Sequence, residues 1–380
     1  MTKTKLFLKY ALLAISIWYL LVYFYMVYYR IQYPFELDWI EGGLLGEVQR
    51  IVNGQAVYAA PSLEFVAFLY PPLFFYLSAL ASQFFGAAFF SLRLVSFLAS
   101  LISFVCIFLI VKEETDNKFI ALISACFFAA TFRVTGAWMD IARVDSLFVA
   151  LLFLFVYFIR HSNSTRAFIL AGFFAALALL TKQTALVMCI PAIGYAFLRD
   201  WKRTLILIVT ATALTGGITL AFNLFSDGWY VYYVFKLLNY QTEWLGISEF
   251  IKFWPRDLLA HGAIALIFLL FYFFKSWRNQ KAQLFGVIFL SILAGTYMSR
   301  MKLGGYDNVL LPLYGIMAIL MGLGSYQVIG MMREQKESSI YLALILQMAI
   351  LFYNPISQIP TSADLKAGQE FVQYLSTLDG

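Results

Sequence analysis

Long apolar stretches without a charged side chain are the feature that most constrains this chain. Residues 10–29 contain no Asp, Glu, Lys or Arg, and about 20 such residues suffice for a helix to cross the hydrocarbon core of a bilayer. Five further stretches are of the same kind: 94–111, 204–226, 258–274, 282–299 and 309–332. The chain is 62% hydrophobic and only 13% charged, whereas about 25% of residues in soluble domains are charged. The sequence therefore predicts an all-α, polytopic membrane protein.

Shorter apolar stretches raise the predicted number of transmembrane helices to about eleven. Residues 338–353 add one span, and residues 119–132 and 146–159 favour a hairpin of two spans with charged residues between them. Residues 167–198 carry a single charge, Lys182. That stretch is too long for one span, so we expect a second hairpin that turns at residues 181–183.

The distribution of basic residues predicts the orientation. More than half of the 27 Lys and Arg residues fall at the N-terminus or in five short loops: 112–118, 160–166, 199–203, 275–281 and 333–337. Because such an excess marks the cytoplasmic side, we expect a multi-pass protein of the cell (inner or plasma) membrane with its N-terminus inside and its C-terminus outside. The net charge of +6 is scattered over these loops, which is not the pattern of nucleic-acid binding.

This orientation leaves two long segments on the outer side, residues 30–93 and 227–257. We expect one transmembrane domain over residues 1–353, with residues 30–93 as its first outer loop. Residues 354–380 form an outer C-terminal segment, which is either short or the start of a truncated soluble region.

Cysteine and histidine give no sign of a metal site. Cys106, Cys126 and Cys189 all lie in apolar stretches, where a cysteine is usually a small buried apolar side chain. His161 and His261 are isolated in the sequence, and no Cys/His spacing is typical of zinc.

The stretch ELDWIEGG, residues 36–43, gathers three carboxylates directly after the first span. Apolar residues at helical spacing predict an amphipathic helix over residues 39–52 that lies along the membrane surface. Asp38 would then be its N-cap and Glu41 the partner in a capping box. The alternative is that one of these carboxylates is a catalytic base, and Glu36 fits either interpretation. A second surface helix is predicted after Tyr70-Pro71-Pro72.

Charged side chains within apolar stretches are the remaining candidates. An ionised group near the membrane core is costly and defaults to a functional or paired role. Lys182 could therefore bind a phosphate, or its amine could extend to the interface. Asp140 and Asp145 could serve a substrate site, or either could form an internal pair with Arg143.

Several motifs together resemble the GT-C glycosyltransferases, which include the protein O-mannosyltransferases and the lipid A aminoarabinose transferases. The resemblance covers residues 6–322. After the acidic residues of ELDWIEGG, the motifs in chain order are GQAVY (54–58), YPPLFFYLSAL (70–80), ARVDSLFVALLFLFVYF (142–158), LALLTKQTAL (177–186) and MKLGGYDNVLLPLYG (301–315). These transferases carry adjacent Asp and Glu, whereas here Asp38 and Glu41 are separated.

The resemblance implies transfer of a sugar from a polyprenyl-phosphate carrier to a lipid, glycan or protein acceptor on the outer face. Asp38 is the first candidate for the general base, with Glu41 as an orienting or alternative base. The candidates for binding the donor phosphate are Lys182, Arg300, Lys302 and Arg256. The candidates for the acceptor site or its support are Asp140, Arg143 and Asp145. The sequence indicates no particular cofactor, and it leaves open whether a loosely held divalent cation takes part. A flippase or transporter of a lipid-linked saccharide is the competing function.

Overall fold

A computed structural model describes residues 3–161, 164–240, 243–332 and 337–378. Parts of two predicted inner loops, 162–163 and 333–336, lie outside the described residues. In the first half of the chain the helices are α1 Lys3–Arg30, α2 Glu41–Val52, α3 Leu73–Phe85, α4 Phe89–Thr115, α5 Lys118–Ala130, α6 Val144–Ile159, α7 Thr165–Leu179, α8 Ala185–Arg199 and α9 Trp201–Phe225. No strand occurs in these ranges or in the described ranges that follow.

The second half begins with the aromatic-rich segment after α9. Its helices are α10 Trp229–Val231, α11 Leu237–Tyr240, α12 Ile247–Lys252, α13 Ala260–Ser276, α14 Gln280–Arg300, α15 Leu311–Met331, α16 Glu337–Ile350 and α17 Ser362–Leu375. Two π-helical segments, Tyr232–Lys236 and Phe253–Leu259, and two 3₁₀ turns, Asp307–Leu310 and Pro355–Gln358, interrupt the regular helices.

The predicted helices are present, but the number of membrane spans is not settled by their lengths. Six helical segments of the described chain are long and apolar enough to cross a bilayer, or seven if α16 and the bent segment after it form one span. The two predicted hairpins correspond to α5 with α6 and α7 with α8, whose 13 to 16 residues are fewer than the roughly 20 of a typical span. The molecule is a multi-pass membrane protein, and the total of eleven stays a prediction.

Helix α15 forms the centre of the bundle. Every residue from Leu311 to Ser325 is buried, and the helix packs against α4, α5, α13 and α14. Close approach to its neighbours requires small residues: a Cβ at Gly315 would lie 2.1 Å from the ring of Phe153, and one at Gly324 would lie 2.0 Å from the carbonyl oxygen of Phe268. A helix that is apolar on every face and surrounded by others is the expected centre of a membrane bundle.

The end of the bundle where α1 stops at Arg30 is called the site end here. Helices α2 and α3 lie there, and so does the irregular segment 131–143 between α5 and α6. Ile40 occupies the N-cap position of α2 without a side-chain cap. The predicted start at Trp39 and the predicted Asp38–Glu41 capping box are therefore wrong. The Asp38 carboxylate accepts from Ile40 and Arg143 instead of the Glu41 N–H group, and the Glu41 carboxylate does not accept from the Asp38 N–H group.

Helix α16 accompanies only part of α1. Lys5 forms an ion pair with Glu337 at one end, and the hydroxyl of Tyr19 donates to the carbonyl of Met348. Beyond Ile350 the chain continues towards the site end mostly without helix, and the carbonyl of Gln358 accepts a hydrogen bond from Arg30. The C-terminal part of α1, near Arg30, therefore lies beside irregular chain and not beside a helix.

Candidate active site

Four sequence-predicted residues form one continuous chain of ion pairs at the site end. Arg143 Nη1 lies 2.8 Å from Asp38 Oδ1, and Arg143 Nε lies 3.2 Å from Asp145 Oδ2. Lys182 Nζ lies 2.6 Å from Asp145 Oδ1, which also accepts from the amide of Asn308 at 2.8 Å. Residues from the first loop, the start of α6, the α7–α8 turn and the loop before α15 thus converge on one centre.

The turn that carries Lys182 is fixed on both sides. It lies between α7 and α8, where the hairpin turn is predicted. The side chain of Gln183 donates to the carbonyls of Leu69 and Val234, and the amide of Leu73 donates to the carbonyl of Leu180. These bonds hold the turn against the chain that precedes α3, and the ion pair with Asp145 fixes the Lys182 amine.

Asp38 differs from the other carboxylates of the centre in having a free oxygen. Its Oδ1 accepts from Arg143 and from the backbone N–H of Ile40. Its Oδ2 accepts no hydrogen bond from the described residues, and the side chain is 8% exposed, against 2% for Asp145. Both oxygens of Asp145 are occupied, by Lys182 and Asn308 on one side and by Arg143 on the other.

Glu41 is enclosed and fully bonded. Its carboxylate pairs with Arg93 at 2.6 Å, and neither side chain is exposed. The same carboxylate accepts from the backbone N–H groups of Leu37 and Ala142. Arg93 in turn donates to the carbonyl of Arg30 at the end of α1 and to those of Tyr33 and Phe35 in the segment before α2. Glu41 therefore anchors the backbone on both sides of the Asp38–Arg143 pair, and it has no free oxygen for a substrate.

Asp140 belongs to a separate pair. Arg30 Nε lies 2.8 Å from Asp140 Oδ2, and Arg30 also donates to the carbonyl of Ala137. Of the two predicted partners for Arg143, Asp145 is therefore confirmed, and Asp140 is wrong. Burial raises the pKa of the Asp140 carboxyl above its usual range, although the Arg30 guanidinium opposes this shift.

Two of the other three predicted phosphate-binding residues, Arg256 and Arg300, lie in a second cluster. Asp257 lies between two guanidiniums, 2.7 Å from Arg256 Nε and 2.9 Å from Arg300 Nε. Arg300 also pairs with Asp307 at 2.9 Å. Lys302 is outside this cluster, and its amine lies 5.9 Å from the centre of the Trp244 ring. Of the four candidate cations, only Lys182 is in the same centre as Asp38.

A dedicated metal site is not formed by these residues. No group of three or more His, Cys, Asp or Glu side chains converges within the described part of the chain. A cavity of about 10 Å³ lies beside Lys182, Asp145 and Asn308, which is room for about one water molecule. Since nearly every carboxylate oxygen of the centre already binds a cation or an N–H group, the donor set does not fit a divalent ion.

Comparisons with known proteins identify the fold. A family model described as dolichyl-phosphate-mannose-protein mannosyltransferase matches residues 70–230. The structure is similar to ArnT from Cupriavidus metallidurans bound to undecaprenyl phosphate, with a TM-score of 0.65 and 14% identity over 89% of this chain and 63% of that one. It is also similar to an Archaeoglobus fulgidus oligosaccharyltransferase in the apo form, with a TM-score of 0.56 and 10% identity over 91% of this chain and 57% of that one. The chain has a GT-C fold.

The resemblance expected from the sequence motifs is thereby confirmed at the level of the GT-C fold. ArnT in the apo state gives nearly the same result, with a TM-score of 0.64 and 14% identity over 86% of this chain and 61% of that one. The chain thus spans less than two thirds of each of these proteins. No curated protein sequence matches it.

Arg30 and Arg93 were not predicted from the sequence, although they bind the segments on either side of the centre. Each lies at the border of an apolar stretch, where an isolated charge can be mistaken for an ordinary loop residue. The sequence signal that could have identified these two residues is their charge beside an apolar stretch. Because a buried guanidinium is costly, it needs a carboxylate partner. The partners, Asp140 and Glu41, are more than 50 residues away in the chain, so spacing could not reveal them.

Proposed function

We propose that this protein is a membrane glycosyltransferase that transfers a sugar from a polyprenyl-phosphate donor to an acceptor on the outer face. The main support for this proposal is that Asp38 Oδ2 is the one free carboxylate oxygen of the described centre. The centre also contains Lys182, whose side chain is partly exposed. A base needs an unoccupied oxygen within reach of the acceptor, and Asp38 alone among the paired carboxylates of the centre has one.

The cations of the centre have donors left for a phosphate. Lys182 has three N–H groups and uses one on Asp145. Arg143 has five N–H groups and uses two, on Asp38 and Asp145. Asp145 keeps both cations in place, and their free donors suit the oxygens of a phosphodiester. Asp140, Arg143 and Asp145 support the site in this proposal.

The reaction is a single displacement. A hydroxyl of the acceptor gives its proton to Asp38 Oδ2 while its oxygen forms a bond to the anomeric carbon of the sugar. The bond from that carbon to the phosphate oxygen breaks, and the lipid phosphate leaves with the electron pair. The developing negative charge lies next to Lys182, so a positioned ammonium lowers the barrier. Attack opposite the leaving group inverts the anomeric configuration.

Two of the similarities support the donor class. One of the similar structures is an ArnT bound to undecaprenyl phosphate, and the matching family model is described by a dolichyl-phosphate sugar donor. Both lipids are polyprenyl phosphates. The asymmetry of Lys and Arg supports an N-terminus on the cytoplasmic side of the cell membrane and a site end on the outer side. Lipid, glycan and protein acceptors all supply the nucleophile that this scheme needs.

A liposome assay distinguishes transfer from transport. The protein is reconstituted with an undecaprenyl-phosphate-linked hexose or pentose, and cell-envelope extract supplies the acceptor. We expect release of undecaprenyl phosphate together with labelled acceptor. Movement of the intact sugar lipid between leaflets without any release would identify a flippase and contradict the proposal.

A further inference from the structure

A second cavity, with a volume of about 360 Å³, lies at the site end and is not used by the proposed reaction. Asp307 and Asn308, which are adjacent in the chain, lie between this cavity and the catalytic centre. The side chain of Asn308 donates to Asp145 in that centre, whereas Asp307 pairs with Arg300 and lines the second cavity.

The polar wall of this cavity is positively charged. Arg256 and Arg300 both line it, and both are bound to Asp257. Arg133 lines it as well and is exposed, with no side-chain hydrogen bond or ion pair to any residue in the described ranges. Arg256 pairs with Asp257 and also with Glu249, which does not line the cavity, and Arg300 pairs with Asp257 and Asp307. Of the three guanidiniums that line the cavity, only that of Arg133 therefore has no carboxylate partner among the described residues.

The opposite wall is apolar and open. It consists of residues 350–353 together with Val134 and Leu310. Ile350 is 44% exposed and Phe352 is 69% exposed, and the ring of Phe352 stacks on Trp18 with 5.7 Å between centroids. Trp18 lies near the middle of α1, so this wall extends into the depth of the membrane.

The backbone of this wall is not helical after Ile350. Irregular backbone at membrane depth is tolerated where it is buried in protein or lines a water-filled cavity, because lipid tails offer no hydrogen bonds. A cavity with an unpaired guanidinium at one end and exposed apolar side chains at the other is suited to an amphiphile with an anionic headgroup. A soluble anion would not need the apolar wall, and a neutral lipid would not need Arg133.

We propose that this cavity binds a lipid phosphate, with the phosphate on Arg133 and the hydrocarbon chain along Ile350 and Phe352. The phosphate chemistry predicted for Arg256 and Arg300 is retained, since their paired guanidiniums define the charged wall. The site is separate from the Lys182 centre and does not depend on the proposed transfer reaction. Two sources supply this chemistry: a polyprenyl phosphate and an anionic glycerophospholipid.

Lipid binding to purified variants tests the proposal. All proteins carry Lys182→Gln so that the donor site does not contribute, and each is titrated in detergent with undecaprenyl phosphate and, separately, with phosphatidylglycerol. Adding Arg133→Gln should weaken binding of at least one lipid about tenfold or more, the loss expected for one charge-assisted hydrogen bond. Arg133→Lys should recover part of the loss. The matched control is Lys236→Gln, an exposed cation of the same side that does not line the cavity.

The lipid that responds identifies the source. A response to undecaprenyl phosphate alone assigns the site to the carrier, and a response to phosphatidylglycerol alone assigns it to a membrane phospholipid; equal responses assign it to the phosphate group in either. The proposal is overturned if Arg133→Gln, with unchanged thermal unfolding, binds both lipids as tightly as its parent, or if Lys236→Gln loses as much affinity.

Discussion

At the residue scale, burial and hydrogen bonding distinguish side chains that the sequence could only group together. Asp38 and Glu41 are one helical turn apart and chemically alike, and the sequence predicts both as candidates. In the structure Glu41 is closed in by Arg93 and two backbone N–H groups, while Asp38 keeps one oxygen free. Which of two neighbouring carboxylates is accessible depends on partners at positions 93 and 142, and local sequence does not contain that information.

Lys182 gives a prediction at this scale. Lys182→Gln removes a cation from the centre, yet Asp145 keeps Arg143 and Asn308 as partners, so the protein should still fold. We expect donor binding to weaken about tenfold or more, since a charge-assisted bond to phosphate is lost. Lys182→Arg should recover part of it, because the charge is kept but the geometry changes.

The measurement is a titration with the sugar-linked polyprenyl phosphate, followed by turnover. Lys366→Gln is the control, since that lysine is 76% exposed on α17. Unchanged donor affinity in Lys182→Gln would mean that Lys182 serves only to neutralise Asp145.

At the scale of elements, the apolar stretches predict the bounds of most helices to within a few residues. They also predict the turn at Lys182 between α7 and α8. The predicted start of α2 was wrong because capping was inferred from spacing alone. In the structure, Asp38 and Glu41 also bind residues far away in the chain. The two π-helical segments were not predicted. They lie in an aromatic-rich stretch whose apolar residues have no clear period, and packing decides its conformation.

Glu47 of α2 gives a prediction about pH. Its Oε1 accepts from the backbone N–H of Phe68, its Oε2 is buried without a partner, and burial raises the pKa of its carboxyl to about 8. Between its ordinary value of 4.5 and 8, the folded protein keeps a proton that the unfolded chain has lost. Stability therefore falls as pH rises through this window, by at most about 1.4 kcal/mol per pH unit.

Glu47→Gln should remove most of this dependence, because the amide is neutral at every pH and can still accept from Phe68. Thermal unfolding in detergent between pH 5.5 and 8 measures the effect. The unfolding temperature of the parent should fall more steeply with pH than that of Glu47→Gln, and Glu64→Gln, an exposed carboxylate of the same loop, should behave as the parent. Parallel curves for the parent and Glu47→Gln would contradict the raised pKa.

At the scale of the whole molecule, composition was sufficient for the class, and ordered motifs were sufficient for the fold. The number of spans could not be obtained in either way, since α5 to α8 are too short to be assigned by length. The charged centre could be predicted in part: Arg143, Asp145 and Lys182 were singled out by their charge in an apolar setting, and Asp38 by its place in the acidic stretch after the first span. Their connection into one chain of pairs requires the packing of four separate segments.

Orientation is tested by labelling single cysteines in a background without Cys106, Cys126 and Cys189. Ser62→Cys and Leu303→Cys, both at exposed positions, should react in sealed cells with a reagent that cannot cross the membrane. Asn279→Cys lies in a predicted inner loop and should react only after the cells are permeabilised. Equal labelling of positions 62 and 279 in sealed cells would show that the predicted topology, and with it the outer active site, is wrong.

The proposed reaction depends on Asp38 as the base, and the transfer rate of Asp38→Asn tests this role. Asn can accept the same bonds from Arg143 and Ile40, but an amide cannot take the proton of an acceptor hydroxyl. We expect donor binding and thermal unfolding close to those of the parent and a transfer rate lower by about 10²–10⁴-fold. Glu36→Gln, which changes an exposed carboxylate of the same stretch, should transfer at the parental rate. Full transfer activity in Asp38→Asn would contradict the account.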